Sequence, residues 1–463
     1  MLNVKNTFTR LLALVLLAAA GTVWAATDGS HKSQGDAQAA PEKSDEPTTL
    51  IHNVSIFNGT SGKLLTGKDV VLTGNKIDRL IPAGSDAARY DQVIDGKGGY
   101  LSPGLIDNHW HCVLALDYGV VFSSSAQYLD AVATWEANEL LMRGVTTVRD
   151  AGGNTAGLKM ATDQGYVNGP RIYPSQAVLS QYSGHTDFRN PNFLPKEWGG
   201  PISPVEQMGL GLLVNGRDQM LQAVRDNLYK GATQIKLAVS GGVSSYSDPL
   251  YANEFLPEEI EAAVLAAEDY GTYVMVHVHN AEAIKRALNA GVKSIEHAML
   301  ADEEAIKMIA DKGAYASVQA LVAKQLLSVY KETDPRLAKA QAAWNNVGNV
   351  MGWIKKYNVT LGWGTDLLEG LDARAQQLDD LVLRSEWFSS AELMVQATGN
   401  NGEIVALSGK RNPYGKLGVI EEGAMADVLI YSKNPLEDIA VVADPENNLK
   451  LIVKDGKIYK NTL

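Results

Sequence analysis

The sequence predicts an α/β chain: a (β/α)8 TIM barrel with a small β-sandwich domain built from both chain ends. Three observations predict it. Eight apolar segments recur through the middle of the chain, and polar loops and stretches of helical period separate them. Both ends have a different texture, with short β-like pieces set between turn residues. Most of the histidines, and one aspartate, fall at the C-terminal ends of the apolar segments, where barrel enzymes gather their chemistry.

The elements follow in order. In residues 1–25, Lys5 and Arg10 precede an apolar run, and Val23-Trp24-Ala25 offers small residues at a cleavage position. This is the pattern of a signal peptide, so an exported protein, periplasmic or secreted, is expected. The run is short for a membrane span, so no stable membrane anchor is expected after leader removal. Residues 26–47 are rich in Asp, Ser, Gln and Pro without apolar period, which reads as a disordered linker. Residues 48–100 form the N-terminal part of the β-sandwich, with strands near 49–57, 69–73, 76–81 and 92–95.

Residues 101–414 form the barrel. Its strands are expected at 100–106, 145–149, 171–179, 234–239, 273–278, 294–297, 314–318 and 359–362, with helices at 258–270, 281–290 and 303–312 among those between. The Pro- and Gly-rich region 186–217 is too long for an ordinary connection and reads as an active-site loop or lid. Residues 415–463 return to the sandwich, with strands near 426–431 and 449–453 and a hairpin signal at Asp455-Gly456.

Composition narrows the function. A formal charge of −12 that loses two more cations with the leader, and no basic tract, argue against a nucleic-acid partner. The lone cysteine, Cys112, excludes an intramolecular disulfide.

The polar residues at strand ends carry the chemistry. His109 and His111 are two residues apart in a strand and so share a face, as do His277 and His279. His185, His297 and Asp366 follow other apolar segments. Imidazoles and a carboxylate suit zinc and related ions, and this set exceeds what one open zinc site needs, so two divalent metal ions are expected. Lys236 lies inside the apolar run Ile235-Lys236-Leu237-Ala238-Val239. Spacing alone leaves two readings of it: an ammonium that snorkels or pairs with an acid, or a neutral amine carboxylated by CO₂ to a carbamate.

With these motifs in place, the chain resembles the amidohydrolase superfamily. The likeness is to its exported prolidase-like branch, which includes Xaa-Arg/Lys-type dipeptidases and ochratoxin-hydrolysing amidases. It runs from Pro103-Gly104-Leu105-Ile106-Asp107-Asn108-His109-Trp110-His111 to Ala426-Asp427-Val428-Leu429-Ile430. The resemblance implies that His109 and His111 hold the more buried metal and that His277 and His297 hold the second. It implies a carbamate on Lys236 bridging both, and Asp366 as a further ligand and the general base and acid. The implied reaction is attack of a metal-bridging hydroxide on an amide bond to a carboxylate-bearing residue. Dipeptides, C-terminal residues, N-acyl amino acids and ochratoxin-like amides fall in that class.

Three stretches depart from the branch's usual pattern: Ser183-Gly184-His185-Thr186-Asp187, Asn280 after His279, and Ser244-Ser245-Tyr246-Ser247-Asp248-Pro249. They leave the metal ligands in place and bear on substrate preference. His185 and His279 are expected to polarise or orient the substrate, and Tyr246 to contact its carboxylate. A lactam-opening hydrolase of the same superfamily is the competing reaction, and a non-catalytic exported metal-binding protein the competing class. The partner expected is a small-molecule or short-peptide amide, and homo-oligomerisation is left open. Glu296, expected to face away from His297, stays outside the site, as do Cys112 and the turn Val148-Arg149-Asp150-Ala151-Gly152-Gly153.

Overall fold

The computed structural model describes residues 46–368 and 370–463. The leader and all but the last two residues of the linker lie outside the described residues.

The N-terminal strands are β1 (Thr48–Phe57), β2 (Leu64–Leu65), β3 (Lys68–Thr73), β4 (Lys76–Pro82) and β5 (Gln92–Pro103). The middle of the chain supplies β6 (Leu105–Trp110), β7 (Val145–Asp150), β8 (Arg171–Pro174), β9 (Val178–Ser180) and β10 (Gly211–Leu213). It continues with β11 (Ile235–Ala238), β12 (Val274–Asn280), β13 (Ser294–Leu300), β14 (Tyr315–Ser317) and β15 (Leu361–Gly362). The C-terminal end adds β16 (Val428–Tyr431), β17 (Leu449–Lys454) and β18 (Lys457–Asn461).

Both ends of the described residues enter one eight-stranded sheet, in the order β18-β17-β16-β5-β1-β3-β4 with β2 on β1. The join is the antiparallel pairing of β16 with β5, Val428 opposite Pro103 and Tyr431 opposite Tyr100. Ile51, Val70, Ile94, Leu101, Ile430 and Leu451 bury its core. The expected turn at Asp455-Gly456 is present, with Asp455 at φ +56° between β17 and β18.

The remaining strands form two parallel sheets, β6-β7-β8 and β10-β9-β11-β12-β13-β14-β15. They are apolar almost throughout because both faces are covered, as in Ile235–Ala238, where every residue is buried. Helices follow several strands. Asn280 caps Ala281–Asn289 by accepting from the Ala283 N–H, and Asp302 caps Glu303–Asp311 through Ala305. The cap explains why Asn280 stands directly after His279. Two sets of hydrogen bonds link the parallel sheets. Asn108 N–H donates to Trp363 O and Asp366 N–H to His109 O on one side, and Thr233 N–H donates to Pro174 O on the other.

Two expected strands are split. Segment 100–106 ends one sheet at Pro103, which has no N–H to continue a ladder, and the next sheet begins at Leu105. Segment 171–179 breaks after Pro174, where Gln176 takes φ +60°. The region 186–217 is more ordered than a bare loop: it contains β10 and the short helix Pro204–Gln207. Among the described residues no helix is long and apolar enough to cross a membrane.

Candidate active site

The C-terminal ends of the parallel strands converge on one pocket lined by His109, His111, His185, Lys236, His277, His279, His297 and Asp366. Their positions follow from local backbone chemistry. His109 lies near the end of β6 and His111 directly follows it, alternating with Trp110 as extended backbone dictates. Asp366 is set against them by a clasp: buried Asp107 accepts from Thr365 Oγ1 at 2.6 Å and from Thr365 N–H at 3.2 Å. A Cβ at residue 364 would stand 2.8 Å from the His109 backbone nitrogen, so only glycine lets the two segments meet. His297 and Asp366 both hold left-handed backbone, at φ +72° and +53°, a conformation that non-glycine residues keep only where their surroundings impose it.

The rings form a chain of contacts. Centroids are 5.6 Å apart for His109 and His111, 5.0 Å for His109 and His297, 4.5 Å for His297 and His277, and 3.9 Å for His277 and His185. Nε2 of His109 and of His111 lie 3.6 and 3.3 Å from Asp366 Oδ1. Ligand atoms of His109, His297 and Asp366 all fall within 4.8 Å of one another. Nε2 of His109, His277 and His297 and Nδ1 of His279 are buried without a hydrogen-bond partner. Buried polar atoms rarely stay unpaired, since each costs about 1–3 kcal/mol. Convergent imidazole nitrogens beside a carboxylate are the donor set a divalent cation completes.

Protonation favours the same role. Burial, with the Lys236 charge, lowers the His109 pKa to about 4, and burial lowers that of His279 to about 3. His277 and His297 are pushed well below the usual histidine range by burial and neighbouring imidazoles. The rings are therefore neutral, the form that ligates metal. Burial tends to raise the Asp366 pKa, but His109, His111 and Lys236 outweigh it and keep the carboxyl ionised. Burial brings the Lys236 pKa down to about 8, against the pull of Glu296 and Asp366. A useful fraction of its Nζ is then a neutral nucleophile near neutral pH.

Three residues outside the expected site prove to hold it. Glu296 does not face away. Its Oε2 accepts from His109 Nδ1 at 2.8 Å, and Oε1 lies 2.7 Å from an Arg149 Nη. The alternation argument fails because Glu296 occupies the interior face with Ser294, while the left-handed turn at His297 swings the next ring inward as well. Arg149 is fully buried and also donates to Asn108 O, so its segment is more than a turn. Gly152 O accepts from His111 Nδ1 at 2.9 Å, which frees Nε2 for the pocket. Charged residues inside apolar strands, Arg149 and Glu296, were the available signal. Cys112 lies off the pocket wall, its N–H donating to Asp150 Oδ2. Tyr246 is 68% exposed, packs on Arg336 and lines a neighbouring surface depression instead.

Comparison with known proteins agrees with this geometry. The model of the amidohydrolase family matches residues 100–459. The chain belongs to the amidohydrolase family. The amidohydrolase is 33% identical over 386 residues to ochratoxinase of Aspergillus niger, covering 78% of this chain and 75% of the relative. A prolidase complexed with N-methylphosphonate-L-proline superposes with TM-score 0.81 at 33% identity, covering 90% of this chain and 100% of that one. A Xaa-Pro dipeptidase with bound methionine in its active site gives TM-score 0.78 at 29% identity, covering 89% and 100%. The amidohydrolase sits in the prolidase- and ochratoxinase-like branch and is a hydrolase of C–N bonds. Amidohydrolases generally use divalent metal ions, and the His109, His297 and Asp366 group fits one.

Proposed function

We propose that this amidohydrolase is a binuclear metal-dependent enzyme cleaving an amide bond to a carboxylate-bearing residue. Dipeptides, C-terminal residues of short peptides and N-acyl amino acids, ochratoxin-like amides included, are its substrate class. The observation that carries this reading is the convergence of partnerless, neutral imidazole nitrogens on Asp366 and Lys236 in one pocket.

His109 and His111 would hold one ion, His277 and His297 the second, with Asp366 a further ligand. Neutral Lys236 Nζ would add to CO₂ and lose a proton, and the resulting carbamate would be a further ligand. Zinc suits these donors, and divalent ions supply acidified water and carbonyl polarisation. Asp366, whose pKa is lowered and whose carboxyl is ionised, takes the proton of the attacking water and returns it to the departing amine. His185 and His279 face the pocket and steady the developing oxyanion.

The fold reading belongs with this proposal. The two parallel sheets form a closed (β/α)8 barrel over about 101–414, with β8 and β9 counted as one broken strand and β10 as an addition to the eight, a reading supported by the hydrogen bonds linking the sheets. Residues 48–100 and 415–463 make a small β-sandwich domain. Export to the periplasm or medium follows from the leader motif.

The test is turnover of a dipeptide and N-acyl amino acid panel by zinc-loaded protein, reading released amino acid. Wild-type turnover is expected, with Asp366→Asn losing roughly 10²–10⁴-fold in kcat. Absence of turnover across the panel, or near-normal kcat in the variant, overturns the reading.

A further inference from the structure

Above its polar floor the pocket changes character. Among the described residues that line it, Asp366 is the one Asp or Glu and Lys236 the one Lys or Arg. The rest is nearly all apolar, including Met299, Val322 and Leu326. Three aromatic rings stand together there. Centroid separations are 5.8 Å for Tyr118 and Phe122, 5.7 Å for Tyr118 and Phe188, and 5.4 Å for Phe122 and Phe188. Tyr118 and Phe122 lie four apart on the helix Tyr118–Ser123, so they share a face. Phe188 comes from the long excursion after β9.

All three rings are only half-buried. Phe122 and Phe188 pack against the small apolar cluster that includes Val205 and Leu210, and all three rings line the pocket. A ring cluster serving only as core would be fully covered. The pocket volume is about 120 Å³, near the ~150 Å³ of an apolar cavity that admits benzene. There is room for a planar ring.

We propose that Tyr118, Phe122 and Phe188 form a specificity wall. The amidohydrolase takes amides with an aromatic or large apolar group beside the scissile bond, and turns away cationic side chains. This rests on the amide-hydrolase reading above. A bound ring gains aromatic contacts with three rings that already line the pocket together. A lysine or arginine side chain would lose its water and find no free carboxylate, since His109 and His111 engage Asp366 and a carbamate on Lys236 would be taken up by the metal ions. The excursion between β9 and β10 thereby acquires a role: it delivers Phe188 to the wall.

The experiment compares N-benzoyl- and N-acetyl-amino acids, and Xaa-Phe against Xaa-Lys dipeptides, on the zinc-loaded protein. Turnover is read as kcat/KM, and calorimetry gives binding of the same compounds. Aromatic amides should exceed basic ones by roughly a hundredfold, and Phe122→Ala or the milder Phe188→Leu should cut the aromatic-to-small ratio about tenfold. Preference for basic substrates, or ratios that both variants leave unmoved, overturns the specificity wall while sparing the hydrolase reading. Selective binding of aromatic amides without turnover of any compound upholds the wall and sinks the hydrolase reading. Neither turnover nor selective binding sinks both.

Discussion

Asp248 Oδ2 lies 3.2 Å from Nδ1 of His185, whose ring stacks on His277 with planes 13° apart. The carboxylate is fully buried and also accepts from the Gly242 N–H at 2.6 Å. With Nδ1 engaged by Asp248 and Ser245, the other nitrogen of His185 is left for the pocket. A Cβ at residue 242 would stand about 2.0 Å from the His185 ring, so the loop approaches this closely only because it carries glycine there.

Asp248 is therefore a positioning residue. Asp248→Ala should lower kcat/KM about 10–100-fold, the usual cost of losing such an orienting partner, while metal content stays at the wild-type value. Asp248→Asn, which keeps an acceptor, should recover much of the loss. Steady-state kinetics with elemental analysis on the same preparations checks both, and equal kinetics in all three proteins contradicts the role.

The loop bearing Asp248 is itself held from outside. Lys339 Nζ donates to Gly242 O, Ser245 O and Asp248 O at 3.0, 2.8 and 2.6 Å, and Arg336 reaches Ser244 O. Lys339→Met should raise amide exchange across 242–249 and raise KM more than it lowers kcat. Exchange mass spectrometry reads the first effect, and unaltered protection there would show that the lysine does not restrain the loop.

Beneath the histidines, Arg149 and Glu296 are both fully buried and 2.7 Å apart. Burial alone would raise the Glu296 pKa, but Arg149 and His109 outweigh it and bring it down to about 2. Arg149→Met leaves that carboxylate without its one buried guanidinium, only His109 and Ser294 still donating to it, and should cost about 3–5 kcal/mol of stability. Urea unfolding measures it, and an unmoved midpoint would mean the pair contributes nothing.

Glu254 gives a pH-dependent effect. It is fully buried, accepts from the His185 N–H at 3.1 Å, and burial raises its pKa from 4.5 to about 8. Between those values the folded state keeps a proton that the unfolded chain releases. Its stabilising contribution is complete below pH 4.5 and is lost as pH rises to about 8. Glu254→Gln should flatten the fall in Tm over that window by a few degrees. Parallel slopes for variant and wild type would contradict the assignment.

Much of this was legible in the sequence because it follows from short-range chemistry. The parallel strands read as apolar runs, the hairpin at Asp455-Gly456 as turn chemistry, and the paired histidines as a shared face. The pocket gathers every histidine expected of it, with Lys236 and Asp366. What stayed hidden depended on backbone reversals and long-range partners. Period-two reasoning misplaced Glu296 because nothing in Ser294-Ile295-Glu296-His297 announces left-handed backbone at His297. From its place in the loop Tyr246 could be read as a substrate contact or as an ordinary loop tyrosine, and nothing in the loop sequence announces its packing on Arg336. The clamp from Lys339 joins segments too far apart in the chain for spacing to reveal.

The most direct test of the central claim is reconstitution. Chelated protein is titrated with zinc, and bound metal and amide hydrolysis are followed together. Activity should vanish on chelation and return in step with binding, reaching its full value at two ions per chain, with His297→Ala failing to reach it. Full hydrolysis by protein stripped of divalent metal would contradict the account.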